Sequence, residues 1–388
     1  MTKYRYNLPL PTLVRSNEAL EEMLARLMVE LAVAVDTESN SLYAYSERVC
    51  LLQISVPGED YLVDPLAVED LSPLGALFGD PDIEKVFHAA EYDVMVLRRD
   101  FGFEFASLFD TMIASRILGW PRYGLGTLLE EHFGITTDKR MQRTNWGRRP
   151  LSPEQLEYAQ LDTHFLLQLR DRLLAALSAD GRLVEARAAF ARVAQSEWTD
   201  RAFDADGFWR IKGTRDLDDT GLAVLRALYI HRDQRAQALD RPPFKVLGDR
   251  VLLDMSKQRP RSLSELAHIK GLPRRLPSRE RRRLLSVIGQ GLRDDPPQKP
   301  IRESRDRRDE AAFDRYEALR RWRKERAETR GVEPDVVLSN RTLHVLARRN
   351  PTSPEALAAS GLLNDWERQE YGREIVALLR RQKRIGKI

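Results

Sequence analysis

Four carboxylates and one phenol are the side chains of this 388-residue sequence whose types and spacing could do chemistry. Asp36 and Glu38 stand one residue apart at the end of the apolar run 31–35, which reads as a buried strand. Alternate strand residues share a face, so both acids can aim oxygens at one point. Crowded like charges repel, and a hard cation such as Mg2+ would relieve them. For this pair alone, a solvated turn at a strand end is the plain alternative. Asp93 follows the short apolar stretch Val86-Phe87 and opens the helical pattern Val94, Met95, Leu97, Phe101. A first-turn acid there is also what the helix dipole favours. Tyr158 and Asp162 lie in a helical run from residue 153 to 177, started by Ser152 as N-cap and Pro153 in the first turn. Their four-residue spacing places phenol and carboxylate on one helical face.

In order and spacing, three segments resemble the motifs of the exonuclease family named for its Asp-Glu-Asp-Asp acids with an added tyrosine. They are Asp36-Thr37-Glu38, His88-Ala89-Ala90-Glu91-Tyr92-Asp93 and Tyr158-Ala159-Gln160-Leu161-Asp162. Arg143-Thr144-Asn145-Trp146, followed by Arg149-Pro150-Leu151-Ser152, narrows the resemblance to bacterial ribonuclease D. One departure is Ala89, where many relatives carry Asn after the second-motif histidine.

Phosphodiester hydrolysis requires a water to lose its proton and an alkoxide to leave, and two divalent ions meet both demands. Four carboxylates are a natural complement to such a pair. Asp36, Glu38, Asp93 and Asp162 are therefore assigned as ligands of two divalent ions, Mg2+ or Mn2+, with Asp36 the best candidate to bridge them. Tyr158 is assigned to orient the attacking water, an ordinary phenol being a poor base at neutral pH. The resemblance implies 3'-to-5' attack on terminal phosphodiesters, release of 5' mononucleotides, and RNA, typically tRNA precursors, as substrate. A DNA exonuclease of the same chemistry and a nonenzymatic RNA-binding protein are the alternatives. His88 reads as part of a hydrogen-bond network outside the site, Gln53 as structural, and Trp146 and Tyr92 as packing residues.

The elements that must position these residues form an α/β fold. Strands are expected near 29–36, 48–56, 60–63 and 84–88, with helices near 91–100, 108–118, 125–132 and 153–177. The resemblance makes this a ribonuclease-H-like mixed sheet with the acids at one end. Residues 201–388 repeat themselves at a shift of 91: Arg232 aligns with Arg323, Pro243 with Pro334, Leu247 with Leu338, Leu252 with Leu343 and Pro260 with Pro351. This period suits two copies of a small helical domain rather than a solenoid unit. Each resembles the helicase-and-ribonuclease-D C-terminal (HRDC) domain, a module associated with nucleic-acid binding. No Gly-x-x-x-x-Gly-Lys-Ser/Thr phosphate loop accompanies them, which argues against a motor. The expected division is an exonuclease domain over 1–200, a connection over 201–215, helical domains over 216–294 and 311–388, and a linker over 295–310.

Charge follows the same division. Residues 1–200 hold 20 Lys and Arg against 31 Asp and Glu, whereas residues 201–388 hold 43 against 28. An acidic catalytic half would repel a polyanion, so a basic appendage that holds nucleic acid beside it makes physical sense. The single cysteine, Cys50, cannot form an intrachain disulfide, and no stretch reaches membrane-spanning length. Without a secretory apolar core at residues 1–6, a cytoplasmic protein with no membrane association and no obligate protein partner is expected.

Overall fold

A computed structural model of the chain describes residue 6 and residues 8–199, 202–298 and 310–385. Packing divides these into two units. One takes the described residues up to Glu38, then Val49–Trp198 and everything described from Glu310 onward; the other joins Ser39–Arg48 to the described residues from Thr199 to Gln298.

The first unit is built on six strands: β1 (Thr12–Val14), β2 (Ala32–Ser39), β3 (Val49–Val56), β4 (Glu59–Val63), β5 (Glu84–Phe87) and β6 (Leu108–Asp110). Their spatial order is β1-β4-β3-β2-β5-β6. β3 and β4 pair antiparallel, and β2, β5 and β6 run parallel, so the expected mixed sheet is borne out. β3 is buried at every position, as a strand covered on both faces must be. Register then does the positioning. Ala34 lies opposite Val86, and Val86 opposite Phe109, so β2 is level with the C-terminal ends of β5 and β6 at Ala34–Val35 and runs on past them. The residues just beyond that level are Asp36 and Glu38, the His88–Asp93 segment, and Asp110.

The helices of this sheet domain are α1 (Asn17–Leu27), α2 (Leu74–Gly79), α3 (Glu91–Phe101), α4 (Thr111–Ile117), α5 (Leu125–Phe133), α6 (Pro153–His164), α7 (Leu166–Ala179) and α8 (Leu183–Ala194). Ser152 and Gln155 form a full capping box at the start of α6, with Pro153 in its first turn. Several expected elements shift. β2 does not stop at the acids but carries them inside its last four residues. The expected helix over 108–118 opens as β6, because Leu108–Asp110 pairs with β5 and is too short to show a period. The single helix expected over 153–177 is interrupted at Phe165. β1 and α1 were not anticipated from sequence.

The two helical repeats have the same internal build. The first contains α9 (Asp219–Ala238), α10 (Pro243–Val246), α11 (Asp249–Gln258), α12 (Leu263–Ala267) and α13 (Ser278–Gly291). The second contains α14 (Glu310–Arg330), α15 (Pro334–Val337), α16 (Asn340–Arg349), α17 (Pro354–Ala359) and α18 (Asp365–Ile385). Arg232 and Arg323, aligned by the shift of 91, are both buried and make matching bonds. Arg232 donates to Leu247 O (3.0 Å) and Asp249 Oδ1 (2.6 Å), and Arg323 to Leu338 O (2.7 Å) and Asn340 Oδ1 (2.8 Å). Each guanidinium thereby satisfies a carbonyl at the end of the short Pro-led helix and pins it to the long one. The aligned Arg259 and Asn350 both end their helices left-handed, at φ 49 and 48.

Placement of the repeats differs. The second packs on the sheet domain within one unit. Arg330 reaches the buried Glu185 (2.5 Å), Arg192 pairs with Glu367 (2.6 Å), and Arg116 grips Asp335 (2.7 Å) and Glu333 (2.8 Å). Val336 adds to the core built around the sheet. Gly119, at φ +77, lets the backbones meet: a Cβ there would collide with Gly331 O. The first repeat has its own core and receives the loop Ser39–Arg48. Asn40 closes that loop by bonding Arg48 through its side chain and backbone, while Tyr45 bonds Asp233 through its hydroxyl (3.0 Å) and Asp240 through its N–H (3.0 Å). Lys245 lies 3.3 Å over the Tyr43 ring. Of the expected linker, residues 299–309 lie outside the described residues.

Candidate active site

The five residues singled out by type and spacing converge at one end of the sheet. Asp36 and Glu38 project from β2, Asp93 from the first turn of α3, and Tyr158 and Asp162 from one face of α6. Asp93 and Asp162 are each 6% exposed and Tyr158 7%, while Asp36 and Glu38 are partly buried. The acids feel one another. Asp36 is pushed well above the ordinary carboxylate range by burial, then by the charges of Asp93, Asp162 and Glu38. Burial and the charges of Asp162 and Asp93 push Glu38 up to about 9. Burial likewise raises Asp162 to about 8 against the Tyr158 hydroxyl bond, and Asp93 to about 7 against the Thr37 hydroxyl, which donates to it at 2.5 Å. Tyr158 is raised far beyond an ordinary phenol by burial and then by Asp162, Glu38 and Asp36. It therefore stays protonated and acts as a donor, not as a base.

Supporting residues fix these positions. Asp110, fully enclosed at the end of β6, accepts from the N–H groups of Ala89 (3.2 Å), Ala90 (2.7 Å), Met112 (2.9 Å) and Ile113 (3.0 Å). It caps α4 and holds the turn leading to Asp93. Ala89 lies in that turn at φ 64, a left-handed conformation that Asn tolerates better than Ala. His88 bonds Thr111 Oγ1 through Nδ1 (2.9 Å), and burial lowers its pKa to about 4, so it is neutral.

Two further anchors seat α6. Asp60 of β4, 5% exposed, accepts from Ser55 (2.6 Å), Gln160 (2.6 Å) and His164 (2.7 Å). Arg149 grips Asp64 with both Nε and Nη2 (2.7 Å each) and donates to Cys50 O and Trp146 O. Trp146 is buried and packs with Tyr158, Leu151 and Cys50. Tyr92 is 38% exposed. Gln53 is fully buried on β3, and among the described residues neither of its amide atoms has a hydrogen-bond partner.

Asp110 had a signal in the sequence, an Asp directly before a helical pattern. Asp60 had none: it follows Glu59 beside a Pro-Gly turn and reads as solvated.

Known proteins share this arrangement of domains. The profile of the family described as 3'-5' exonuclease matches residues 11–178, and that of the HRDC domain matches residues 221–288 and 312–379. Ribonuclease D of Granulibacter bethesdensis is 31% identical over 381 residues, covering 96% of this chain and 94% of its own length. The chain belongs to the ribonuclease D family. The solved structure of Escherichia coli RNase D, described as an exoribonuclease involved in structured RNA processing, is 26% identical with a TM-score of 0.63. That match covers 96% of this chain and 99% of the other. Protein RRP6-like 1 of Arabidopsis thaliana is 32% identical over 317 residues. This chain spans 50% of that plant protein and 32% of RRP6-like 3.

Membership in the ribonuclease D family implies dependence on divalent metal, and the donor set fits it. Hard carboxylate oxygens gather where the charges of Asp93 and Asp162 push up both Asp36 and Glu38, an arrangement that a cation would relieve. As placed, no three His, Cys, Asp or Glu side chains among the described residues close to the spacing that grips an ion. Among the described residues, no helix is long and apolar enough to cross a membrane.

Proposed function

We propose that the protein is a metal-dependent 3'-5' exoribonuclease, trimming structured RNA such as tRNA precursors to 5' mononucleotides. The observation that carries this is the convergence of Asp36, Glu38, Asp93 and Asp162, from three separate segments, around the protonated Tyr158. In this reading Asp36, Glu38, Asp93 and Asp162 would hold divalent ions, which when bound would supply activation of water and neutralisation of the leaving oxygen. Glu38 and Asp162, pushed up to about 9 and about 8, would have to be deprotonated to hold them. Tyr158 keeps its proton and donates a hydrogen bond to Asp162, which leaves an oxygen lone pair to accept a hydrogen bond from the attacking water. The domain limits drawn from sequence belong to the same proposal and are supported by the family matches at 11–178, 221–288 and 312–379.

The test is release of nucleotides from matched RNA and DNA strands, with and without EDTA. Asp36→Asn and Asp162→Asn are each expected to lower hydrolysis by at least about 10²-fold while RNA binding persists. Full activity in either purified variant would refute the assignment. Tyr158→Phe should slow the single-turnover step on the order of 10²-fold with the protein still folded.

A further inference from the structure

The first helical repeat contains a cleft of about 320 Å³ that none of the catalytic residues lines. It opens between α9, α10 and the segment before α13. Its walls are apolar, from Leu239, Leu247, Leu276 and Pro277, while Arg241, Lys245 and Arg275 are exposed around it. Arg235 is already paired with Glu280 (3.2 Å) and Arg232 with Asp249, but Arg241 and Arg275 have no acidic partner among the described residues. Lys245 is held over Tyr43, which leaves its charge uncancelled by any acid among the described residues. The volume lies at the lower end of pockets that hold small ligands.

The repeat supplies an internal control. The counterparts of Leu239, Arg241, Phe244 and Lys245 are Arg330, Val332, Asp335 and Val336. In the second repeat those positions meet the sheet domain, through Arg330 to Glu185, Asp335 to Arg116, and Val336 in the core. In the first repeat the same surface has become cationic, and it leaves Leu239 40% and Phe244 57% exposed. A surface that only attracted polyanions would need charge but no apolar hollow. Nucleotide binding uses both, cations for the phosphate and a dry surface against which the base rests, here aliphatic rather than aromatic.

We infer that this cleft is a second, noncatalytic nucleotide site, which takes one internal nucleotide of the single-stranded RNA being degraded. Arg241, Lys245 and Arg275 hold the phosphates, and Leu239, Leu276 and Pro277 seat the base. The inference rests on the reading of the protein as an RNA exonuclease and names a binding step upstream of the scissile end.

The test uses the full chain in EDTA, with a fluorescent single-stranded RNA of about 16 nucleotides carrying 4-thiouridine, a length that spans a typical single-strand site. Replacing Arg241, Lys245 and Arg275 together by Gln is expected to weaken binding about 10-fold and to reduce the salt slope by about 2, near 0.7 for each phosphate that is no longer neutralised. Leu239→Ala, at an exposed position, should weaken binding a few-fold with the slope unchanged. Crosslinks should map to residues 239–247 or 273–277. Unchanged affinity in the triple variant, crosslinks confined elsewhere, or sensitivity to the charges but not to Leu239 would overturn the nucleotide site. Uridine 5'-monophosphate filling the cleft while the RNA strand bypasses it would overturn the assigned occupant, as would equal displacement of RNA by polyglutamate. Hydrolysis of a dinucleotide with Mn2+ should be unchanged in all these variants. Its absence in the unaltered protein would defeat the proposed activity and leave the binding result standing.

Discussion

The two helical repeats share a buried arginine, a Pro-led short helix and a left-handed helix end, yet they meet their surroundings through opposite chemistry. In the second, the long helix ends in Arg330 against a buried carboxylate, and the next turn carries Glu333, Asp335 and Val336 onto the sheet domain. In the first, the same turn carries Arg241 and Lys245, and it is met by the tyrosines of the loop Ser39–Arg48. The shared interior sets the shape of a repeat, and substitutions along one turn decide what that shape is for. One copy braces the sheet domain and the other presents cations at the same turn.

The largest expected effect tests whether the second repeat shares the stability of the acid cluster. Glu38, Asp93 and Asp162 have folded pKa values of about 9, 7 and 8, above ordinary carboxylates. Between about pH 4 and 9 the folded state therefore binds more protons than the unfolded one. Their stabilising contribution is complete below about pH 4 and is lost as pH rises through about 7 to 9. In EDTA, raising pH from about 5 to about 9 should cost the first unit a few kcal/mol, and saturating Mn2+ should flatten the loss. Amide exchange in α16 and α18 should accelerate with the sheet, and exchange in α11 should not; identical behaviour of both repeats would break the comparison.

Next in size is Glu185→Ala, which leaves Arg330 without its carboxylate in a partly buried setting and should cost about 3 kcal/mol in thermal unfolding of the first unit. Arg232→Met and Arg323→Met each orphan a buried carbonyl and should cost about 2 kcal/mol in their own repeat. Unequal losses would show that the shared arginine is not used alike. Smallest is Ala89→Asn, expected to stabilise the first unit alone by about 0.5 kcal/mol by relieving the left-handed turn. A lower melting temperature would contradict that expectation.

Much of the candidate site was legible: Asp36, Glu38, Asp93, Tyr158 and Asp162 could all be named from sequence, and the fold brings them near one another. What surrounds them was less so. The strand bearing Asp36 and Glu38 runs on to Ser39, but two acids in alternation look like a turn when no metal is in view. Asp60 looks solvated until β4 lies beneath α6. Glu185 looks like one more acid on an amphipathic helix until a residue 145 positions away meets it. Period and composition report local structure, whereas burial of a charge is settled by whichever distant segment covers it. The repeat itself was visible at a shift of 91, but the burial of Arg232 and Arg323 was not, since each reads as one of many surface arginines.

The loop that follows Glu38 is seated on the first repeat through Tyr43 and Tyr45 rather than on the sheet. A chain shortened after Trp198 would thus lose more than its helical appendages. The peptide leaving one of its four acids would dangle, and Glu185 would be stripped of the guanidinium that covers it. Lost activity in such a fragment would report a displaced carboxylate as readily as the absence of the repeats themselves, so point substitutions in the cleft can separate effects that truncation would merge.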